Sequence, residues 1–199
     1  EFLQAVTEVF ETIGGVLVDR YTTYFVSSKI QDITLALSAF PNITLIDARG
    51  CPFYGALAKL RQQYPKCRFI YEVPVGGKLW SERSNEIVVD STSVYELSLA
   101  LPALPRVKSV QISQPITDLD GMLQLRNDYP DIQFTYCFDL YGKTVTPDTE
   151  SINLSWVQIG SGAEIDRYLS HFNNLKRAEL RRCGIPNEDM DALKQKYPN

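Results

Sequence analysis

Histidine is nearly absent: His171 stands alone among 199 residues, which removes histidine-rich metal sites and most triad chemistry. Positive charge is also short, with 20 Lys plus Arg against 24 Asp plus Glu and a formal net charge of −4. Phosphate backbones require clustered cations, so nucleic acid is not an expected partner. No apolar run approaches the roughly 18 residues of a membrane-spanning helix, and no span is expected within the chain. The four cysteines, Cys51, Cys67, Cys137 and Cys183, contain no C-x-x-C pair and no zinc-finger spacing. They read as small, buried apolar thiols. Gly76-Gly77-Lys78 lacks the spacing of a phosphate loop and reads as a turn. Cofactors and metals are therefore not expected.

What is present is a repeat. Leu60-Arg61-Gln62-Gln63-Tyr64-Pro65 returns as Leu125-Arg126-Asn127-Asp128-Tyr129-Pro130, and again as Leu193-Lys194-Gln195-Lys196-Tyr197-Pro198. Leu57, Met122 and Met190 lie three residues upstream in the same register, giving an apolar stripe along one helix face. The proline after each tyrosine ends the helix, because the preceding residue is pushed out of the α region. Downstream, Phe69-Ile70-Tyr71-Glu72-Val73 matches Phe134-Thr135-Tyr136-Cys137-Phe138 and predicts a strand. Short strands follow at Ile87–Val89 and Ile152–Leu154. The segments Gly76–Asn85 and Leu140–Glu150 read as helix-free loops. Helices are predicted at Ile30–Phe40, Val94–Leu101 and Gly162–Phe172, with strands near Val16–Asp19 and Tyr24–Ser27.

Two segments share one further phrase. Ile43-x-x-Ile46-x-Ala48-x-x-Cys51-x-Phe53 matches Leu175-x-x-Ala178-x-Leu180-x-x-Cys183-x-Ile185, and Val107-x-x-Val110-x-Ile112 keeps the first half. The chain here resembles irregular leucine-rich repeat proteins of bacteria. That resemblance implies an α/β fold, a right-handed solenoid with a mostly parallel sheet on one face and helices on the other. It also implies an extracellular or cell-surface setting. Glu1–Ile13 carries Phe2, Val6, Val9, Phe10 and Ile13 on one helical face and is expected to cap the array. Residues 1–29 would be the cap and first strands. Residues 30–199 would form one continuous domain of repeats at about 30–93, 94–161 and 162–199. Glu1 in place of Met is expected to mark a processed or trimmed product.

No motif assembles catalytic chemistry. His171 falls where the aligned helices carry Ala39 and Ala103, so it reads as a helix-end residue. Glu188, Asp189 and Asp191 open a helix, where acids favour the dipole and Asn187 suits the cap. Asp118 and Asp120 carry no sugar-cleaving arrangement. Lys176, Arg177, Arg181 and Arg182 are basic but share the segment with Glu179. The intervening residues of the repeated phrase are expected to point outward: Asp47 and Arg49, then Ser109, Gln111 and Ser113, then Arg177, Glu179 and Arg181. Such a mixed face suits an unknown protein partner more than a small molecule. The expected function is a non-enzymatic, leucine-rich-repeat-like interaction module. A glycan-binding surface using loop aromatics such as Trp80 and Tyr141 is the alternative. Trp156 reads equally as an interface anchor or as core.

Overall fold

The computed structural model describes residues 11–198. The chain divides into two compact units. One runs up to Asn85 and includes Glu96–Val107; the other comprises Glu86–Tyr95 and the residues from Lys108 onward.

In the first unit, β1 (Glu11–Ile13) and β2 (Val16–Val18) form an antiparallel hairpin. Glu11–Ile13 are therefore a strand and not the end of the expected capping helix, whose residues 1–10 lie outside the described residues. Next come β3 (Tyr24–Val26), α1 (Ile30–Ala39), β4 (Leu45–Asp47), α2 (Tyr54–Gln63) and β5 (Arg68–Ile70). The three strands pair in parallel in the order β3-β4-β5. Phe25, Ile46 and Phe69 face one another across that register and are buried. Helix α2 adds Leu57 and Leu60 to the same core and ends as expected. Tyr64 caps it, its N–H donating to the Leu60 carbonyl at 2.8 Å, and Pro65 follows. β6 (Glu72–Val75) and β7 (Lys78–Ser81) then fold back as a second hairpin.

The second unit repeats this series. β8 (Glu86–Val89), β9 (Ser109–Ile112) and β10 (Gln133–Thr135) form a parallel sheet in the order β10-β9-β8. Helix α3 (Val94–Ala100) follows β8 in the chain, with its residues from Glu96 onward counted in the first unit, and α4 (Leu119–Asp128) links β9 to β10. The hairpin is β11 (Phe138–Leu140) with β12 (Lys143–Val145). β13 (Ser151–Asn153), α5 (Gly162–Leu169), β14 (Arg177–Glu179) and α6 (Asn187–Lys196) complete the described chain, with β13 parallel to β14. Helices α4 and α6 end as α2 does, on Tyr129 and Tyr197 with N–H donated to Leu125 and Leu193.

This corrects the expectation of a right-handed solenoid with one mostly parallel sheet. Among the described residues the strands form six separate sheets of two or three strands, three parallel and three antiparallel. The physical reason lies in the segments read as loops. Gly76-Gly77 (φ +59° and +73°) and Tyr141-Gly142 (φ +52° and +82°) put two consecutive residues in the left-handed region. That is the geometry of a tight antiparallel hairpin turn. Each predicted Phe-x-Tyr strand is thereby split, its first half completing a parallel sheet and its second half entering the hairpin. Among the described residues no ladder passes from β10 to β13.

The cysteines are free; Cys51, Cys67 and Cys183 are buried and Cys137 is half-buried. Burial pushes the Cys67 thiol up to about 11. Cys183 Sγ donates to the Leu154 carbonyl at 3.0 Å, fastening the turn after β14 to β13. Helices α5 and α6 meet at Gly162, whose N–H donates to Asp189 Oδ2 at 2.7 Å. A Cβ there would stand 2.7 Å from Asp189 Cβ. Gly162→Val should therefore lower the stability of the second unit by about 1–3 kcal/mol through overpacking, read by urea denaturation.

Candidate functional site

The predicted interaction residues are divided between the two units. Asp47 ends β4 in the first unit, while Ser109, Gln111, Ser113, Arg177, Glu179 and Arg181 belong to the second. Asp47 also departs from its expected outward exposure. It is buried, accepting from Arg49 Nε at 2.9 Å, Arg49 Nη2 at 2.5 Å and the Tyr24 hydroxyl at 3.4 Å. Bonding to the Arg49 guanidinium holds its carboxyl below the ordinary carboxylate value. Asp47 is thus engaged in holding the end of β4 and not free for a partner, whereas Arg49 is exposed. Gln111 and Ser113 are exposed and Ser109 is half-buried, beside the exposed Val88 of β8.

The β13–β14 sheet gathers more. Arg177 Nη2 lies 2.6 Å from Glu179 Oε1, and the Asn153 side-chain amide donates to Glu179 Oε2 at 3.0 Å. Lys143 Nζ reaches the Asn153 carbonyl at 2.7 Å. Immediately beyond the strands, the Trp156 N–H donates to the Arg181 carbonyl at 2.9 Å. That bond carries the ladder one step past β13 and presents Trp156, 67% exposed, next to Arg181 and Arg182. Arg182 Cζ sits 4.5 Å from the centroid of the Trp156 ring. Stacked cation and ring attract through the quadrupole of the ring.

Both partners of that stack occupy unusual backbone. Trp156 has φ +73° and Arg182 φ +55°. Left-handed conformation costs an L-residue roughly 1–2 kcal/mol, and for a bulky side chain it marks strain or function. The internal repeat sharpens the point. The position aligned with Arg182 is Gly50, with φ +79°. One copy places the residue suited to that conformation and the other places an exposed arginine. Sequence reasoning grouped Arg182 with its basic neighbours and left Trp156 divided between anchor and core. The signal available to it was the register that aligns Arg182 with glycine.

His171 takes part in a different arrangement. It is buried within an aromatic group: its ring centroid lies 5.6 Å from that of Phe138 and 6.4 Å from that of Tyr136. Arg126 Nη1 donates to the Tyr136 hydroxyl at 3.2 Å, leaving the hydroxyl proton for His171 Nδ1 at 3.1 Å. Nε2 then carries the ring proton and has no partner among the described residues. The aligned first-copy tyrosine, Tyr71, accepts from Arg61 at 3.3 Å and donates to the Ala103 carbonyl at 2.6 Å. Histidine thus replaces alanine in a buried hydrogen-bonded network. Burial, followed by the Arg126 charge, lowers the His171 pKa from its ordinary 6.5. The folded state therefore favours the neutral ring. Its stability should be full above pH 6.5 and fall as pH drops through 6.5 toward the depressed folded value. Chemical denaturation between pH 8 and pH 5 checks this; His171→Ala should flatten that part of the profile.

Other sequence candidates resolve into structural roles. Asp118 Oδ1 caps α4 by accepting from the Gly121 N–H at 2.9 Å. Helix α6 begins at Asn187 itself, after Pro186, and its side chain does not cap it. Asp120 pairs with Arg167 at 2.7 Å, and Asp191 pairs with Lys194 at 3.0 Å. Among the described residues no group of three or more His, Cys, Asp or Glu could hold a metal ion, and no helix is long and apolar enough to cross a membrane.

No family model, curated protein or solved structure matches the chain. Its reading therefore rests on its own residues and on the comparison of its internal copies.

Proposed function

We propose that the chain is a non-enzymatic module that binds a protein partner through the exposed end of the β13–β14 sheet. The observation that carries this reading is the Trp156–Arg182 stack, exposed on two left-handed backbone positions. Tryptophan and arginine are the residue types most enriched at binding hot spots. Arg181 adjoins the stack, and Asn153, Arg177 and Glu179 form a hydrogen-bonded polar group on the two strands that lead to it, a composition that suits the rim of such an anchor. The glycan alternative has less support. Trp80 is half-buried with Nε1 donating to the Val75 carbonyl at 3.2 Å, and the Tyr141 hydroxyl donates to Glu164 at 2.6 Å. Both rings are held within their own neighbourhoods.

Arg182→Gly is the informative variant, because it installs the residue that the first copy carries at Gly50 and leaves the turn geometry undisturbed. Wild-type and Arg182→Gly protein, immobilised and exposed to extracts of the source cells, would be compared by quantitative mass spectrometry. A binding protein enriched on the wild type and depleted on the variant is the expected result. An identical captured set would overturn the proposal.

A further inference from the structure

The first and third copies of the repeated phrase treat an arginine at the same place in opposite ways. Arg49 and Arg181 each stand two residues before the shared cysteine, Cys51 or Cys183. In the first copy the acid two residues upstream, Asp47, turns onto its arginine. It accepts from Arg49 Nε at 2.9 Å and from Nη2 at 2.5 Å. In the third copy the matching acid is Glu179, and both of its oxygens are taken by other groups. Arg177 Nη2 lies 2.6 Å from Oε1, and the Asn153 amide donates to Oε2 at 3.0 Å. Arg181 is exposed, and among the described residues its side chain has no ion pair and no hydrogen bond. The carboxylate that the first copy supplies from within is missing in the third.

The next residue widens the difference. Arg182 stands where the first copy has Gly50, and its guanidinium lies 4.5 Å from the centroid of the Trp156 ring. It too has no ion pair among the described residues. Stacking engages the flat face of a guanidinium, while its N–H donors lie in the plane and stay free to bond. Two successive arginines without a carboxylate thus adjoin an indole that is 67% exposed. The turn that carries them is open whatever flanks its strand. Arg49 and Gly50 are exposed in the first copy, where β3 and β5 lie on either side of β4.

We infer that the partner is recognised through an acidic side chain, whose carboxylate takes at Arg181 the place that Asp47 takes at Arg49. The inference rests on the reading of the β13–β14 end as a protein-binding face, and names the chemistry that the face selects. A guanidinium presents a rigid fork that matches the two oxygens of a carboxylate, and such charge-assisted pairs are about twice as strong as neutral hydrogen bonds. Asp47 on Arg49 is the intramolecular form of that contact. The Trp156 ring beside it receives an apolar neighbour of the acid. Unpaired cations at the rim also speed encounter with an acidic segment and make binding depend on salt.

The probe is a phage-displayed library of random heptapeptides, selected on the immobilised full chain and sorted by whether binding survives Trp156→Ala. Peptides lost on Trp156→Ala are expected to share an acidic residue beside an apolar one. The tightest is then synthesised with a fluorescent label and titrated onto the chain. Changing its acid to the amide should weaken binding at least about tenfold. Arg181→Gln should weaken the parent peptide by a similar factor and leave the amide peptide unchanged, the signature of a direct pair. Arg68→Gln, at an exposed arginine of the first unit, should alter neither. Arg181 is exposed, so the circular dichroism spectrum and thermal melt of Arg181→Gln should match those of the wild type. Peptides that need Trp156 but carry no acid, or acidic peptides that bind Arg181→Gln as tightly as wild type, would overturn the inference and leave the binding face standing. If no recovered peptide distinguishes wild type from Trp156→Ala, the binding face falls and the inference with it.

Discussion

Phe138→Ala is expected to lower the stability of the second unit by about 3–5 kcal/mol, the range for truncating a fully enclosed phenylalanine. Its ring is buried, with the Phe172 centroid 5.5 Å away, that of His171 at 5.6 Å and that of Tyr168 at 6.4 Å. Three of these contacts come from the end of α5 and the turn after it, so the substitution opens a cavity at the point where β11 meets that helix. Aromatic pairs add about 0.5–1.5 kcal/mol beyond area alone, which places the cost toward the upper part of the range. The aligned first-copy residue is Val73, also buried, so the position demands an apolar side chain while its size depends on its neighbours. Urea denaturation followed by circular dichroism measures the loss. Phe138→Leu, which keeps most of the volume, should cost less than about half as much. If Phe138→Ala were nearly neutral, the aromatic group would not be the packing centre described.

Trp156→Ala should weaken the proposed partner by about 30-fold or more, equivalent to the roughly 2 kcal/mol that defines a hot spot. The folded chain should barely notice. Trp156 is 67% exposed and its backbone bond to Arg181 does not depend on the ring; removing the indole releases Arg182 from the stack without uncovering core. The contrast with Phe138 is the useful part: one aromatic serves stability and the other binding, and each variant should be silent in the other assay. Isothermal titration of the captured partner, alongside thermal melts of both variants, checks the pair together. Equal partner affinity for wild type and Trp156→Ala would remove the anchor from the face.

The physical chemistry of the repeat explains which features were readable from residues. The Tyr-Pro helices α2, α4 and α6 were legible because an apolar i, i+3, i+7 stripe and a following proline act locally. Each ends on its tyrosine, at Tyr64, Tyr129 and Tyr197. The inward alternation of Ile46 with Ala48 and of Val110 with Ile112 was legible for the same reason, since period two is imposed by the strand itself. Strand partnership was not. Pairing is a long-range choice, and the six-sheet arrangement follows from hairpins whose turns hide in Gly76-Gly77 and Tyr141-Gly142. The second of these carries a tyrosine at φ +52°, which propensity argues against. Asp47 was misplaced because alternation alone directs it outward, whereas Arg49 and Tyr24 enclose its carboxylate. Trp156 and Arg182 were each named in the sequence, but their stacking and left-handed backbone were not legible, because positive φ on a non-glycine residue leaves no local trace; only the alignment of Arg182 with Gly50 could have suggested it.

Site-directed photo-crosslinking tests the central claim, that the β13–β14 end is a protein-binding face, most directly. A benzophenone amino acid at position 156 would be compared with the same group at Leu35, an exposed residue of α1 in the first unit. The account predicts one dominant crosslinked protein from position 156, absent from position 35 and suppressed when Arg182→Gly is combined with the label. The same products from both positions, or none from position 156, would contradict it.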